Sequence, residues 1–185
     1  MQHDLVVRAR NGDRDAFTLL AGAAFEPLFR TARLILRDDD SALDAVQDAL
    51  LSAWLHVRAV RDPDRFEAWL QRLLIHACYR EARRAGRRRL MELHVTPLDT
   101  PATDDVQRTT AIRDELERGF RRLSTQHRAV LVVHHYQGLA DGDAAMVLDI
   151  PVGTYKSRLN RATAALRAAL EADGRAQASV RESIA

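Results

Sequence analysis

The chain has few of the features that stabilise secreted or membrane proteins. Its 185 residues include a single cysteine, Cys78, which excludes an intrachain disulfide and fits a reducing compartment. No apolar run approaches the roughly 18 residues of a transmembrane helix. The first residues lack the basic and apolar segments of a secretory signal peptide. These absences predict a cytoplasmic protein with no membrane association.

Motifs on which many enzymes depend are also missing. The sequence contains no glycine-rich phosphate loop and no cysteine–histidine cluster. The acidic triplet at 38–40 is a weak candidate for binding a divalent cation, and we interpret it as a helix boundary. His134 and His135 cannot converge on one ion, because adjacent residues on a helix diverge by about 100°. His127 shares a face with His134, but a third ligand is lacking. We therefore predict no catalytic residue, no metal site and no cofactor.

The residues that are present favour a globular protein with two mildly basic segments. Apolar residues make up 46% of the chain, and the net charge is +2. Residues 1–90 contain 16 basic and 13 acidic residues, a net charge of +3. Residues 91–110 contain one basic and four acidic residues, and residues 111–171 contain nine and seven. Charge alone does not identify a nucleic-acid-binding protein here, but its distribution separates two segments.

Apolar residues recur at helical spacing, and no segment alternates in the manner of a strand. A short helix is predicted over 4–10, and Asp13 is expected to cap a longer helix that ends near residue 36. A capping box at 41–44 predicts the start of the next helix. Asp62-Pro63 predicts the start of a third long helix that ends near residue 89, with proline at its tolerated first position.

The chain is predicted to fold as two small helical domains. Residues 91–110 contain Thr-Pro pairs and no sustained helical stripe, which indicates a flexible linker. The first domain is then 1–90 and the second 111–171, and residues 172–185 are expected to form a frayed tail. The predicted fold class is all-α, with a helix-turn-helix in the second domain.

One face of the third long helix contains a row of cations. At 100° per residue, six basic positions fall within about 80° of arc, and Trp69 lies at their edge. Arginines neutralise phosphates, and an indole offers a stacking surface for an unpaired base. The alternative is a solvated arginine face with Trp69 in the core. The six positions are Arg65, Arg72, His76, Arg80, Arg83 and Arg87, and Arg84 lies in the basic run at the end of the helix.

The most specific motif is PVGTYKSRLNRA at 151–162. A helix candidate at 141–148 ends before Pro151, and a second helix begins after a tight turn. Two short helices joined in this way form a helix-turn-helix, whose second helix can enter the major groove of DNA. Tyr155, Leu159 and Ala162 share the apolar side of this second helix. Ser157, Asn160 and Arg161 point the other way, flanked by Lys156 and Arg158.

Together these motifs resemble those of bacterial RNA polymerase sigma factors of the extracytoplasmic-function (ECF) type. DAVQD at 44–48 is similar to the family's D-x-V-Q-E/D segment, and FEAWL at 66–70 is similar to the start of the helix that opens the minus-ten element. GTYKSRLNRA at 153–162 is similar to the helix that reads the minus-thirty-five element. The resemblance covers nearly the whole chain, in order.

The resemblance implies a role for each segment. Docking on the clamp helices of the polymerase β′ subunit is expected of Asp44, Gln47, Asp48 and Leu51. Reading and melting of the minus-ten element are expected of Arg65, Trp69, Arg72, His76, Arg80, Arg83, Arg84 and Arg87. Reading of the minus-thirty-five element is expected of Thr154, Tyr155, Lys156, Ser157, Arg158, Asn160 and Arg161. The first helices of the second domain are expected to hold the β-flap. The implied partners are core RNA polymerase and promoter DNA, with an anti-sigma factor as a further candidate.

Four positions depart from the family pattern. His76 and Arg80 stand where the family usually has Asn and Asp, and Asp143 stands where it usually has Glu. Tyr155 replaces the usual valine, so it must either bury its ring or turn its hydroxyl to DNA. These departures indicate a distinct promoter or a weakly active member. The alternative function is a stand-alone helix-turn-helix transcription regulator, which leaves the first helical segment without a role.

Overall fold

A computed structural model describes the backbone of residues 2–92 and 109–184, and the side chains of residues 2–88 and 114–174. All regular structure in these ranges is helical, which confirms the predicted all-α fold. The helices are α1 (Gln2–Arg10), α2 (Arg14–Leu36), α3 (Asp39–His56), α4 (Phe66–Glu92), α5 (Thr109–Arg121), α6 (Thr125–Leu131), α7 (Asp141–Val147) and α8 (Val152–Ile184). Short 3-10 turns lie at Val57–Ala59 and Pro63–Arg65, and a π turn lies at Val132–Tyr136.

Aspartate side chains fix the start of the first long helices. The Asp13 carboxylate accepts a hydrogen bond from the Ala16 amide at 3.0 Å, as predicted for the cap of α2. The cap of α3 is Asp38, whose carboxylate accepts from the Ser41 amide at 2.8 Å. The predicted capping box at 41–44 is therefore wrong. An aspartate cap followed by two further acids suits the positive end of the helix dipole better than the serine three residues later.

The start of α4 agrees with the prediction from Asp62-Pro63. The Asp62 carboxylate accepts from the Asp64 amide at 3.0 Å, and Pro63 occupies the first position of the 3-10 turn that leads into α4. Helix α4 ends at Glu92 and α5 begins at Thr109, so the first two and the last two residues of the predicted linker at 91–110 are helical. The rest of that linker, residues 93–108, lies outside the described residues.

Helix α8 extends to Ile184, and the frayed tail expected at 172–185 stays a prediction. Asp173 on α8 is buried and forms ion pairs with Arg118 on α5, at 3.9 Å, and with Arg122 directly after α5. These contacts hold the part of α8 around Asp173 against α5 and the residue that follows it. Sequence periodicity did not detect them, because they depend on two helices far apart in the chain.

We call residues 2–92 the first block and residues 109–184 the second block. The two blocks contact each other through α2 and α4 on one side and α6 and α7 on the other. Buried apolar side chains form one continuous cluster through both blocks, with Leu28 and Leu74 in the first, and Val130 and Val147 in the second. That each block is a separate domain stays a prediction.

Polar groups connect the blocks at several points. Arg37 at the end of α2 pairs with Glu117 on α5. Arg128 on α6 donates to the backbone carbonyl of Ile35. Gln137 donates to the Thr31 hydroxyl at 3.3 Å and to the Gln71 side-chain oxygen at 2.9 Å. The second block is therefore held in a defined position over α2 and α4.

No helix in the described part of the chain combines the length and apolar character needed to cross a bilayer. Within the same ranges, no three His, Cys, Asp or Glu side chains are grouped so that they could share a metal ion. Cys78 is buried in the first block, and burial raises the pKa of its thiol to about 12. The thiol is therefore protonated at neutral pH and unreactive.

Candidate nucleic-acid interface

Helices α7 and α8 form the predicted helix-turn-helix. Helix α7 ends at Val147, and α8 begins at Val152 directly after Pro151. Asp149 adopts a left-handed conformation with φ of 56°, and the Ile150 amide donates to the Ala145 carbonyl at 3.0 Å. Aspartate tolerates this conformation better than most residues. The turn therefore reverses the chain tightly and fixes α8 across α7.

The exposed face of α8 contains most of the side chains predicted to read DNA. Lys156, Ser157, Asn160 and Arg161 are exposed, and Thr154 is half-buried. The Arg161 guanidinium donates to the Ser157 carbonyl at 3.2 Å and to its hydroxyl at 3.4 Å. Lys156 forms an ion pair with Asp141 at 3.4 Å. These contacts lie at the surface, so the face can approach the major groove of a duplex.

Tyr155 does not belong to this face. Its side chain is completely buried, and its hydroxyl lies 2.8 Å from Nδ1 of His134 on the π turn. Burial raises the pKa of the phenol, and the Asp141 charge adds to this effect. The inclusion of Tyr155 among the DNA contacts is therefore wrong. Tyr155 lies on the apolar side of α8, and His134 provides the partner that its hydroxyl needs there.

Arg158 is placed differently from its neighbours on α8. Its side chain is half-buried and lies near Tyr79 on α4, whose buried hydroxyl has no hydrogen-bond partner among the described residues. Burial raises the pKa of the Tyr79 phenol, whereas the charge of Arg158 opposes that rise. Arg158 thus lies nearer to the first block than the exposed Arg161 does. Sequence periodicity could not separate the two arginines, because both lie outside the apolar stripe of α8.

The basic stripe on α4 lies at the surface, but most of its cations are already paired. Arg72 pairs with Asp149 at 2.8 Å, and His76 lies 3.5 Å from the same carboxylate. Arg80 and Arg84 pair with Asp48 at 3.7 and 3.5 Å. Further along, the buried carboxylate of Glu81 pairs with Arg84 and Arg88, and near the start of the helix Arg65 lies 3.7 Å from Asp62. Arg83 and Arg87 are exposed.

Burial is the largest influence on the pKa of His76, followed by the charge of Asp149 from the turn between α7 and α8. Partial burial lowers the pKa of its imidazole, the Asp149 carboxylate raises it, and the charges of Arg72, Arg80 and Arg83 lower it further. The net direction is downward, so His76 is predominantly neutral at pH 7. His76 therefore contributes a neutral hydrogen-bonding group to this stripe and little positive charge.

Trp69 lies at the border between the stripe and the core, as helical projection predicts. Its side chain is half-buried, and its ring centre lies 5.7 Å from that of Phe66 in a tilted arrangement. The Phe66 ring is buried beneath it. Part of the indole thus faces outward beside the cations, while the rest packs on the first block.

The exposed side of α3 combines acidic and apolar residues. Asp44 and Gln47 are exposed, and Leu51 is 59% exposed. Leu43 and Leu55 are also exposed, at 37% and 65%, one or two turns away from these residues. Sequence reasoning missed this pair, although the spacing of 43, 47, 51 and 55 by four residues was available as a signal. Asp48 is half-buried between Arg80 and Arg84 and lies at the edge of the surface.

The described residues combine a helix-turn-helix with a helix that exposes arginines, which are features of DNA-binding proteins. Residues 25–88 match the family description of sigma-70 region 2, within the first block. The ECF RNA polymerase sigma factor SigM of Mycobacterium tuberculosis is 38% identical over 159 residues, covering 84% of this chain and 77% of SigM. The chain therefore belongs to the ECF family of RNA polymerase sigma factors, which direct promoter-specific transcription initiation.

Two solved structures have a similar fold. The sigma factor RpoE of Bartonella quintana, in complex with the anti-sigma factor NepR, matches with a TM-score of 0.66 and 25% identity. That match covers 85% of this chain and 98% of the other. CnrH, in complex with the cytosolic domain of CnrY, matches with a TM-score of 0.64 and 28% identity, covering 93% and 98% of the two chains. Both matches extend across the two helical blocks.

Proposed function

We propose that this sigma factor divides its work among three surfaces of the described chain. The α3 surface, defined by Leu43, Asp44, Gln47, Leu51 and Leu55, docks on the β′ clamp helices of core RNA polymerase. The α4 stripe reads and opens the minus-ten element. The exposed face of α8 reads the minus-thirty-five element, and α5 and α6 hold the β-flap. The observation that supports this division most strongly is that Asp44, Gln47 and Leu51 are exposed on α3 and Arg161 is exposed on α8, whereas Asp48, also expected to dock, lies between α3 and the α4 stripe.

The α3 surface has the composition of a protein-binding site. Leucines exposed by 37% to 65% on three turns of one helix are unusual on a free surface, and acids lie between them. Burying leucines in an interface supplies the hydrophobic part of binding, and carboxylates at the rim select a basic partner. A polymerase helix with basic residues around an apolar stripe fits this surface.

The α4 stripe suits the opening of DNA strands. Its arginines can exchange their present carboxylate partners for phosphates, and Trp69 exposes part of its indole for stacking. Stacking on an aromatic ring contributes roughly 1–3 kcal/mol per base. That energy offsets much of the cost of taking a base out of the duplex, which is a few kcal/mol.

The α8 face suits recognition of a duplex. Arg161 and Asn160 are exposed and can contact base edges, and Lys156 and Ser157 can contact the backbone. Binding at two separated elements by one chain multiplies two weak affinities. We also propose that the protein acts by binding and not by catalysis, in the cytoplasm, and that an anti-sigma factor regulates it.

Run-off transcription with core polymerase and a library of candidate promoters tests the proposed function.

The substitution Leu51→Glu tests the docking surface. It is expected to weaken core binding by about 30-fold or more, because a central apolar anchor contributes about 2 kcal/mol. Leu19→Glu is the matched control, since Leu19 is 60% exposed on α2, away from the α3 surface. Equal loss of core binding in both variants would remove α3 as the docking helix. Wild-type protein that yields no product on any template, yet shifts a specific duplex alone, would favour a stand-alone regulator.

A further inference from the structure

A cavity of about 380 Å³ lies between α2 and α5. The described residues that line it belong to α2, α5 and the end of the π turn, and so to none of the three surfaces of the proposed function. Cavities of this size hold small organic ligands. Part of the lining is made of arginines, and part of aromatic and apolar side chains. We propose that the cavity binds a mononucleotide, with its phosphates on the arginines and its base against the aromatic rings.

The cationic part of the lining follows from the periodicity of α2. Arg30, Arg33 and Arg37 are spaced by three and four residues, so they share one face of the helix, and all three line the cavity. Arg30 pairs with Glu26 at 3.3 Å, and Arg33 pairs with Asp39 at 2.8 Å, but neither carboxylate lines the cavity. The side chains of these two arginines are more than half exposed, so water and salt screen both pairs. A phosphate in the cavity can therefore recruit both guanidinium groups.

Arg37 gives the strongest indication of a ligand. Its side chain is only 15% exposed, and its Nη2 pairs with Glu117 on α5. Its Nε is buried and has no hydrogen-bond partner among the described residues. Leaving a buried donor of a charged group unsatisfied is costly, and a ligand phosphate supplies the acceptor that this nitrogen lacks.

The backbone of Arg37 also indicates that its side chain has a purpose. The residue ends α2 in a left-handed conformation, with φ of 64°. Glycine or asparagine is the usual residue at such a position, because a larger side chain is strained there. The reason for an arginine at this point therefore lies in the contacts of its guanidinium.

The remaining lining selects the class of anion. Tyr136 is 51% exposed at the end of the π turn, and Phe120 on α5 lies beside the same cavity. Aromatic rings stack on any nucleobase, because every base has a π-face. The described lining contains three arginines against the single acid Glu117, which favours a negatively charged ligand. Inorganic phosphate uses only the arginines and a nucleoside only the rings, whereas a nucleotide uses both.

Isothermal titration calorimetry of the full-length protein with ADP tests the proposal. ADP is expected to bind at one site per chain, and adenosine and inorganic phosphate at least about tenfold more weakly, because each contacts part of the lining. Phosphate or adenosine bound as tightly as ADP overturns the proposal, and so does the absence of ADP binding at millimolar concentrations. The measurement needs neither polymerase nor DNA, so its outcome is independent of the test of the proposed function.

Substitutions locate the site. Arg33→Gln is expected to weaken ADP binding about tenfold, because a charge-assisted bond to phosphate is lost. Tyr136→Ala is expected to weaken it about fivefold through loss of stacking. The matched control is Arg14→Gln, at an exposed position in the first turn of α2, which should change the affinity by less than about twofold. Circular dichroism verifies that each variant is folded.

The variants can also refute the site. Unchanged ADP affinity in either Arg33→Gln or Tyr136→Ala overturns the proposal. An equal loss in Arg14→Gln overturns it in favour of general attraction between an arginine-rich protein and an anion. Arg37→Gln should cause the largest loss, and where this variant does not fold, Arg33→Gln decides.

Discussion

Helices α4 and α8 both present cations that are proposed to meet DNA, but the two surfaces differ in how those cations are paired. On α4, Arg72, Arg80 and Arg84 each have a carboxylate partner from elsewhere in the chain or from α4 itself. On α8, Arg161 contacts only its own helix among the described residues. Each of these three arginines must therefore leave an acid before it can bind a phosphate, whereas Arg161 is available at once.

The difference teaches that the number of arginines on a surface does not measure its readiness to bind DNA. Exchange of a carboxylate for a phosphate gains little net free energy, because one charge-assisted contact replaces another. An unpaired arginine gains the whole contact and releases counterions from DNA. The α8 face is therefore the better initial contact, and the α4 stripe becomes effective after its acids are displaced.

The largest expected effect comes from removing the buried ring that holds α8 in place, since the exposed face of α8 depends on it. Tyr155→Ala deletes a fully buried ring and should lower the free energy of unfolding by roughly 3–5 kcal/mol, as for other buried aromatic residues. Tyr155→Phe keeps the ring and leaves His134 without its hydroxyl partner, at a cost of about 1 kcal/mol. Urea unfolding monitored by circular dichroism measures both. Equal stability of the alanine variant and the wild type would contradict the buried position of the ring.

A second substitution sharpens the comparison between free and paired arginines. Arg161→Ala should reduce initiation from a promoter selected in the library by about 5- to 150-fold, with core polymerase binding unchanged, if the guanidinium reads a base edge. Arg167→Ala, an exposed arginine further along α8, is the matched control and should change initiation by less than twofold. In the free protein, Arg72→Ala should reduce affinity for DNA less than Arg161→Ala does. Equal losses would show that pairing with Asp149 does not matter.

The smallest expected effect is on the pH dependence of stability, and it concerns His76, the histidine of the α4 stripe. The pKa of His76 is lowered by burial and by Arg72, Arg80 and Arg83, against the opposing charge of Asp149. The unfolded chain therefore binds the proton more readily than the folded protein. The contribution of His76 to stability is complete above its ordinary pKa of about 6.5 and declines as the pH falls through the lowered value.

His76→Asn should remove this acid dependence without affecting the others. Free energies of unfolding at pH 7.5 and pH 5.5 are compared for the variant and the wild type, so that the contributions of titrating groups that both proteins share cancel. The loss of stability on acidification is expected to be smaller in His76→Asn. A larger loss in the variant would reverse the sign assigned to the His76 pKa.

Several features of the fold could be predicted because they depend on neighbours in the chain. Asp13 caps α2 and Asp62-Pro63 opens the turn before α4, as expected from the short-range bonding of aspartate and the fixed φ of proline. The helix-turn-helix followed from apolar spacing and from Pro151. The capping box at 41–44 failed because a stronger acidic cap stood three residues earlier, at Asp38.

The outward faces of the candidate site were only partly predictable. Helical projection placed Arg161, Asn160 and Lys156 away from the apolar side of α8, where the structure also has them. It could not decide whether Tyr155 buried its ring or offered its hydroxyl, because that depended on His134, 21 positions away. The projection also assigned Arg158 to the DNA-reading side without knowing that α4 lies next to it.

The sequence by itself determined that the chain is helical, which residues line each helix, and which family motifs those helices contain. These properties are local, since the helical repeat and the cap residues act within a few positions. Only the tertiary structure decided which charges meet. Asp149 reaches Arg72 across 77 positions, and Asp48 reaches Arg84 across 36. Such pairs form where packed helices bring side chains within a few ångströms, and no local pattern specifies that approach.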